Sequence, residues 1–573
     1  MWGILIQTAT NASVGVMSFR TLIQGYSKGR RACVFALRTG TAQERRASFS
    51  VHSEEARELP AACLLIFFLR KAYMDRRLWP SLHVVLVLLG CAASSAAAPR
   101  HDYEVAGTPL SASPVDQQIA AALREVSLEK IKANIETLVG FNNRNTTSST
   151  VSDLPAGTGV LAAADWLKSQ LGSYSHACGG CLEVKEDSFV EQPLAGLVAY
   201  RSRIAKPTPI RNVYAILHGT DPVAAKRMYL VTGHYDTRET DVMNTHDPAP
   251  GANDDSSGTA VSLEAARVLS RLKFPATLVF VCVAGEEQGL NGSRHMAKLA
   301  KEQGWQLEGV LNNDIVGGDT TPGDSLQDKS VVRVFSEGIL PSAPHETVQQ
   351  WLTLGMDNDT PSRQLAREVL GVDRTYFMPA RLDGHVTTAG HAKAFSAVME
   401  LRLDRFLRGG DHSSFSAEGF PAIRFTEWRE NFNHQHQHVR VENGVEYGDL
   451  LKFDDFGYIA QVARLNIATL ATLASSPGVP NNVRVVTTDP DNNTTLKWDP
   501  PSAASGVIHY QIVWRETTAN DWQFATDAQK YGAASEQNMA KLPISKDNVF
   551  FGVRACDEVG HCSQAVAPVP ERR

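Results

Sequence analysis

Five short segments of the chain concentrate histidine and acidic residues at the ends of apolar runs. They are TGHYDT (232–237), PGANDDSSG (250–258), AGEEQGLNGS (284–293), NNDIVGG (312–318) and NFNHQHQH (431–438). Each segment alone has an ordinary explanation, such as a helix N-terminus whose Asp and Ser side chains accept from free backbone amides. Imidazole and carboxylate together are the groups that hold zinc in catalytic sites. The five segments in this order therefore predict a metal centre.

The adjacent acids Glu286 and Glu287 carry the most specific part of this pattern. They directly follow the apolar run 278–284, which reads as a buried strand. Two neighbouring carboxylates beside a buried strand are costly unless positive charge compensates them. The pair therefore favours a bound cation over a solvated surface.

The segments lie within an alternation of apolar strands and amphipathic helices, which predicts an α/β fold. Strands are predicted at 196–200, 212–217, 227–236, 276–285 and 309–317, and helices at 115–140, 158–171, 256–272 and 291–302. We expect three layers, in which a mixed, mostly parallel sheet has helices on both faces. Polar side chains that directly follow parallel strands line the crevice of such a sheet, so these elements would bring the segments together.

The pattern changes after residue 473. Residues 474–480 have the composition of a linker, and 481–568 show period-two strands separated by turns, which predicts an all-β sandwich. The order of Trp498, Trp514 and the run 551–555 resembles a fibronectin type III module. The segment has no catalytic cluster, so we interpret it as an accessory binding or spacing module whose partner is unknown.

The first hundred residues predict export. Residues 74–98 have a charged start, a short apolar run and a small-residue end, as in a signal peptide. Residues 1–73 precede this signal and are interpreted as a non-native or disordered extension, with translation starting at Met74. The sequence around Cys91 also resembles a lipoprotein box, so membrane attachment is expected only through a lipid on Cys91. The domain that contains the five segments is predicted to span 105–473, and the expected location is secreted, periplasmic or in the cell envelope.

Cysteine usage agrees with export. Cys178 and Cys181 form a CGGC motif that could bind a metal or do redox chemistry, but a local disulfide is the favoured interpretation in an exported protein. Cys556 and Cys562 form a second candidate disulfide. Cys282 lies inside an apolar run and is predicted to be a buried thiol.

The charge distribution argues against nucleic acid as a partner. Residues 1–100 hold 13 Lys and Arg against 5 Asp and Glu, whereas the whole chain has a net charge of −6. The body of the protein is therefore acidic, and proteins that bind nucleic acid need basic patches to neutralise phosphate.

The order and spacing of the five segments resemble the two-zinc exopeptidases related to aminopeptidase Y and bacterial leucyl aminopeptidase. Glutamate carboxypeptidase and the single-zinc glutaminyl cyclases are relatives of that family. The resemblance covers about residues 115–470 and is densest over 227–318. It implies two Zn²⁺ per chain and a set of roles for this sequence: His234 and Asp314 on one ion, Glu287 and His434 on the other, Asp254 as the bridge, Asp236 behind His234, and Glu286 as general base.

The last ligand has alternatives. In the family this histidine opens a segment like HTxxDT, often after a tyrosine whose hydroxyl stabilises the oxyanion. Here His434 fits best by its position after ENFN, His436 is its rival, and Asn433 could replace the missing tyrosine. GGDHSSF (409–415) resembles the family's SDHxxF segment, so His412 is interpreted as pocket lining or support for a ligand, against a ligand role or a purely structural one.

The resemblance implies an exported exopeptidase that hydrolyses N-terminal residues from peptides through a metal-bridged water and a Glu base. Carboxypeptidase or dipeptidase cleavage is the alternative within enzymes, and Arg402, Arg405 or Arg424 could bind the substrate carboxylate it requires. A glutaminyl cyclase would not need the full ligand set. A catalytically inactive binding ectodomain would lack ligands or the base, and this chain keeps them.

Overall fold

The computed structural model describes residues 101–196, 202–340, 342–377, 395–488, 490–502, 508–532 and 538–571, together with three strands near the N-terminus. These strands are β1 (Gly3–Ala9), β2 (Arg20–Ser27) and β3 (Arg30–Arg38), and they form an antiparallel sheet in that order. They belong to a compact unit Met1–Ala98, and a second unit spans Pro99–Arg573. The predicted signal peptide 74–98, with Cys91, lies outside the described residues, and so does most of the strand predicted at 196–200. The start at Met74 stays a prediction.

The second unit is organised around a mixed eight-stranded sheet. After the short strand β4 (Thr108–Pro109), its strands are β5 (Leu182–Glu191), β6 (Thr208–Leu217), β7 (Arg227–His234), β8 (Thr277–Val283), β9 (Gln306–Asn313), β10 (Val331–Ser336), β11 (Ser396–Glu400) and β12 (Ala422–Glu427). Their order is β11-β10-β12-β9-β7-β8-β6-β5. Four of the seven neighbouring pairs are parallel, and β9, β7 and β8 form a continuous parallel centre.

Helices cover both faces of this sheet, which confirms the predicted three-layer α/β fold. The helices are α1 (Asp102–Val105), α2 (Gln117–Arg124), α3 (Leu128–Gly140), α4 (Gly159–Ala177), α5 (Gly258–Leu269), α6 (Asn291–Glu302), α7 (His345–Leu354), α8 (Pro361–Val372), α9 (His412–Ala417) and α10 (Phe456–Ser475). Side chains alternate along each central strand. Tyr229 and Val231 of β7 pack in one core with α5 and α10, and Leu230 packs in another with α6. No helix in the described ranges combines the length and apolar character needed to cross a bilayer.

The helix predicted over 115–140 is two helices in the structure. Asp116 caps α2 by accepting from the amides of Gln118 and Ile119, and Ser127 caps α3 by accepting from the amide of Lys130. A capped helix start inside an otherwise helical pattern breaks the helix, because the capping residue itself has extended backbone angles.

The C-terminal strands form the predicted sandwich. Two further short strands, β13 (Arg440–Glu442) and β14 (Val445–Tyr447), make a hairpin before it. The sandwich strands are β15 (Asn481–Val485), β16 (Thr494–Asp499), β17 (His509–Glu516), β18 (Phe524–Asp527), β19 (Met539–Leu542), β20 (Val549–Cys556) and β21 (Val569–Pro570). They form the sheets β19-β16-β15-β21 and β20-β17-β18-β4, which share one apolar core around Leu496 and Trp514. The specific likeness to fibronectin type III stays a prediction.

Both predicted disulfides are formed. Cys178 is bonded to Cys181, and Cys556 is bonded to Cys562. Cys282 is buried as a free thiol, as its apolar neighbours predict.

The sandwich is completed by residues from the other end of the unit. Thr108 and Pro109 of β4 pair with Ala525 and Phe524 of β18, although the sequence assigns them to the peptidase domain. The Trp514 ring nitrogen donates to the Tyr103 carbonyl over 3.0 Å, and Tyr103 is part of the sandwich core. The first residues of the unit therefore tie the sandwich to the peptidase fold.

A buried ion pair reinforces this connection. Asp359, just before α8, accepts two hydrogen bonds from Arg515 of β17, at 3.0 and 2.8 Å, and one from Arg367 of α8 at 3.3 Å. The side chains of Arg515 and Asp359 are 0% and 1% exposed. Because both charges are removed from water, each is compensated by its partner. The sandwich is therefore anchored to the peptidase fold by this ion pair and is not joined to it by a flexible linker alone.

Replacing Arg515 with Ala is predicted to lower the free energy of unfolding by about 3–5 kcal/mol, because it leaves the buried Asp359 with reduced compensation. The matched control is Arg484→Ala, since Arg484 makes only a 4.0 Å contact with Asp499 at the surface, where such pairs contribute about 0–1 kcal/mol. Chemical or thermal unfolding of the two variants measures the difference. Equal losses would contradict the anchoring role of Asp359.

Candidate metal centre

Four acidic or histidine positions predicted from sequence lie at one edge of the sheet. His234 is the last residue of β7, Glu287 follows the end of β8, and Asp314 directly follows β9. Asp254 lies in the loop that leads into α5. The parallel register explains the convergence, because pairing of His234 with Val283 makes β7 and β8 end at the same level.

The first group of potential ligands consists of His234, Asp254 and Asp314. The His234 Nε2 atom lies 3.1 Å from Asp254 Oδ1 and 4.0 Å from Asp314 Oδ2. All three side chains are buried, and one ligand atom from each lies within 4.8 Å of the others.

The second group shares Asp254 and adds Glu287 and His436. The His436 Nε2 atom lies 2.8 Å from Asp254 Oδ2 and 3.1 Å from Glu287 Oε1. The two oxygens of Asp254 therefore face different groups, Oδ1 towards His234 and Oδ2 towards His436.

These distances fit zinc. Ligand atoms about 2.0–2.1 Å from one zinc ion in tetrahedral geometry lie about 3.3 Å from each other, and the observed spacings of 2.8–4.0 Å bracket that value. Glu287 Oε1 is buried and accepts no hydrogen bond in the described part of the chain, despite its 3.1 Å approach to His436. Glu287 Oε1 and His436 Nε2 thus lie close together without a hydrogen bond between them, which is the arrangement expected of two ligands of the same ion.

The electrostatics of the cluster also call for positive charge. Burial lowers the pKa of His436, but Glu287 and Asp254 outweigh it and raise that pKa to about 10. Burial also lowers the pKa of His234, but the hydrogen bonds with Asp236 and Asp254 outweigh it and raise that pKa well above its ordinary value. Burial, with the charge of Glu287, raises the pKa of Glu286 well above its usual range. The raised pKa values mean that these histidine and glutamate side chains retain protons, and a bound cation would neutralise the same carboxylates.

Asp236 holds the centre from behind. Its carboxylate accepts from the amides of Glu286 and Glu287 at 3.3 and 3.2 Å and from the Thr146 hydroxyl at 2.8 Å. Its Oδ1 lies 3.5 Å from His234 Nδ1, while its carbonyl oxygen lies 3.1 Å from the same atom. Asp236 therefore orients one ligand and fixes the turn that presents another.

The two acids of the DD pair have different tasks. The peptide bond between them is cis, and Asp255 is in neither ligand group. Its carboxylate accepts from the amides of His234 and Gly258, both at 2.9 Å. Asp254 offers its oxygens to the metal centre, whereas Asp255 fastens β7 to the start of α5.

Two supporting residues have no signal in the sequence. Asp449 accepts from the amides of Asn253 and Asp254 at 2.8 and 2.7 Å, so it holds the loop that presents Asp254. Arg424 is completely buried, and its Nη2 atom lies 2.7 Å from Asp314 Oδ1 and donates to the Asp314 carbonyl over 3.2 Å. Asp449 lies in the irregular segment after β14 and Arg424 lies inside β12, and no local pattern marks either as a support for a ligand.

The structure places His436, and not His434, beside Asp254 and Glu287. His434 instead lies 2.5 Å from Asp319 through Nδ1, and its ring stacks on Phe453 with centroids 3.5 Å apart. His436 has a positive φ of 53°, which turns the backbone so that its ring reaches the cluster. The position of His434 after ENFN does not reveal this turn.

His412 supports the centre from a distance. Its Nε2 lies 2.8 Å from the Leu403 carbonyl and 3.7 Å from Asp404, and Asp404 in turn contacts Arg424 at 3.3 Å. His412 is completely buried, does not line the cavity and lies in neither ligand group. Its neighbour Asp411 is buried as well, and burial raises the pKa of Asp411 to about 7.

A cavity of about 650 Å³ opens over the cluster. Asp254, Glu286, Glu287 and Asp314 form its acidic floor. Of the three arginines suggested for binding a carboxylate, only Arg405 lines the cavity. The exposed Asn433 is not among the lining residues.

Comparison with known proteins identifies the family of the chain. Residues 212–347 match the model of peptidase family M28. A probable zinc metalloprotease of Pyrenophora teres f. teres is 42% identical over 468 residues, which are 81% of this chain and 89% of that protein. The chain belongs to peptidase family M28. A probable zinc metalloprotease of Leptosphaeria maculans is also 42% identical, over 79% of this chain and 97% of that protein.

Membership of family M28 makes the chain a zinc metallopeptidase that acts on peptides. Among solved structures, the LapA aminopeptidase of Legionella pneumophila is similar with a TM-score of 0.40 and 19% identity, over 64% of this chain and 76% of that one. The glutaminyl cyclase of Macrostomum lignano has a TM-score of 0.44 and 14% identity, over 65% and 98%.

Substituting His436 with Ala is predicted to lower the zinc retained per chain, because it removes one of the few ligands of the second group. His434→Ala is the matched control and should retain its zinc, with a loss of stability from the lost contacts to Asp319 and Phe453. Elemental analysis after dialysis, with thermal melting in parallel, measures both effects. Loss of zinc from the His434 variant alone would overturn the placement of His436.

Proposed function

We propose that the chain is a two-zinc exopeptidase that releases N-terminal residues from peptides. The observation that carries this proposal is the carboxylate of Asp254, whose two oxygens face two separate groups of ligands. A carboxylate between two ligand groups is the arrangement that bridges a pair of ions. We assign His234 and Asp314 to one ion, and Glu287 and His436 to the other.

The residues around the ions have distinct roles in this proposal. When bound, zinc polarises the scissile carbonyl and makes water a stronger nucleophile at neutral pH. Glu286 lines the cavity beside the ligand Glu287, so it can take a proton from the attacking water and return it to the leaving amine. Asp236 keeps this turn in place through the two backbone amides that it accepts.

Selection for an N-terminus rests on the acidic floor of the cavity. A free α-amine is a cation near neutral pH, and carboxylates next to the scissile bond stabilise it. A blocked amine lacks the charge and adds bulk. We therefore propose that the acidic floor sets the direction in which the peptide binds. The amine is held at the floor, and the rest of the peptide extends towards the opening of the cavity.

The test of this function compares matched peptides with free and acetylated N-termini. The zinc-loaded enzyme is expected to release the first residue from the free peptide and to leave the acetylated one intact, as followed by mass spectrometry. Release of residues from the C-terminus of the acetylated peptide would replace the proposal with a carboxypeptidase function.

Glu286→Gln separates catalysis from metal binding in the same assay. The variant should keep its zinc, because Glu286 is in neither ligand group, and kcat should fall by about 10²–10⁴, the usual contribution of a general base. Zinc content and kcat are measured on the same preparation. Unchanged turnover would remove Glu286 from the role of base.

We also infer that the protein is exported. The two disulfides support this inference, since such bonds persist in oxidising compartments, and residues 74–98 have the order of a signal peptide. N-terminal sequencing of the native protein is expected to give a start near residue 98. A mature form that retains residues before Met74 would contradict it.

A further inference from the structure

The rim of the cavity is rich in arginine. Four arginine side chains line it, and they are Arg203, Arg238, Arg405 and Arg408. The apolar lining consists of Leu290 and Phe432, and Phe432 is 65% exposed to solvent. Among the described residues that line the cavity, arginine side chains therefore outnumber apolar ones.

These arginines are tied to the metal centre by short contacts. Arg238 Nε lies 3.1 Å from Glu287 Oε2, and Arg203 Nη1 donates to the Glu287 carbonyl over 2.8 Å. Arg408 Nη1 lies 3.3 Å from Gln435 Oε1, and the amide nitrogen of Gln435 donates to Asp254 over 3.1 Å. A group bound to this rim is thus only one or two residues away from the ligands.

Part of this positive charge is already neutralised. Glu430 contacts Arg405 at 2.8 Å and Arg408 Nη1 at 2.6 Å. Within the described residues, the polar contacts of Arg203 and Arg408 use Nη1 alone, which leaves Nε and Nη2 of both side chains for a ligand. Arg203 is exposed and the Arg408 side chain is 30% exposed, so both are accessible from the cavity.

The charge balance then favours an anion. Two zinc ions carry four positive charges against the three ligand carboxylates of Asp254, Glu287 and Asp314, and Glu286, which is in neither ligand group, keeps its negative charge for the amine. The rim adds four guanidinium groups against the carboxylates of Glu430 and Asp404. Guanidinium groups bind carboxylates through paired, charge-assisted hydrogen bonds. This balance rests on the proposed two-zinc function.

We propose that the arginine rim is a subsite for a carboxylate of the substrate. The enzyme would hold the free amine at the acidic floor and a carboxylate at the rim. Two sources have this chemistry: an acidic side chain on the first residue, or the C-terminal carboxylate of a short peptide. The cavity volume of about 650 Å³ suits small ligands of this kind.

Two pairs of substrates distinguish the sources. Glu-p-nitroanilide against Gln-p-nitroanilide differs only in the side-chain carboxylate, and Ala-Ala against Ala-Ala-amide differs only in the terminal one. The acidic member of at least one pair is expected to have a kcat/KM about tenfold higher or more, the effect of one charge-assisted hydrogen bond. A ratio at or below one in both pairs would overturn the subsite.

Arginine variants connect that preference to the rim. Arg408→Gln and Arg203→Gln are each expected to reduce the ratio of acidic to neutral kcat/KM several-fold, and Arg203 provides the second variant should Arg408→Gln fold poorly. The matched control is Arg429→Gln, since Arg429 is half-exposed, pairs with Asp324 and does not line the cavity. Ratios unchanged in both rim variants would overturn the assignment.

A binding measurement makes the test independent of turnover. Glutamic acid α-amide and glutaminamide, which differ in the side-chain carboxylate, and Ala-Ala and Ala-Ala-amide are titrated calorimetrically into the zinc-loaded Glu286→Gln protein. Tighter binding of at least one anion than of its neutral partner, and weaker binding of that anion after Arg203→Gln, would support the subsite. This support would hold even if no peptide is cleaved, because a lack of cleavage would contradict the proposed function alone. Equal binding within both pairs would overturn the subsite while leaving any observed hydrolysis of neutral substrates intact.

Discussion

The compensation of buried negative charge is the constraint on which this structure depends. Asp254, Glu287 and Asp314 are buried together with His234, at a place where solvent screens them little. Uncompensated carboxylates in such a site cost more free energy than most single interactions provide. The arrangement is stable where cations are present, and zinc supplies both the charge and the coordination geometry that the ligand atoms already approximate.

A second set of charged groups keeps the candidate ligands in place and lies outside both ligand groups. Asp236, Asp255 and Asp449 each accept backbone amides near the ligands, and Arg424 fixes Asp314. Because each acts on backbone or on one ligand oxygen, the ligand geometry is set before a metal arrives. Little reorganisation is then needed for binding or for catalysis, which is how preorganised sites gain their effect.

The C-terminal sandwich belongs to the same physical unit as the peptidase fold. Its second sheet takes β4 from the segment that precedes α2, and its Arg515 neutralises Asp359 beside α8. A module held by an edge strand and a buried ion pair cannot move freely as a hinged appendage does. The sandwich therefore contributes to the stability of the region that carries α8, far along the chain from the metal ligands.

The sequence by itself determined the fold class and most of the centre. Apolar runs ending in His234, Glu287 and Asp314 predicted parallel strands whose ends meet, because the alternation of buried strands with helices allows few other arrangements. Both disulfides were also readable, since their partners are only three and six residues apart.

Only the tertiary structure brings His436 rather than His434 beside Asp254 and Glu287, because the two histidines are two residues apart in a loop of no regular pattern. It also brought Asp449, Arg424 and the arginine rim to the centre, and it paired β4 with β18. These contacts join residues that are distant in sequence, and they depend on the paths of loops. A local sequence pattern indicates the periodicity of a helix or strand, but it does not indicate the path that a loop takes.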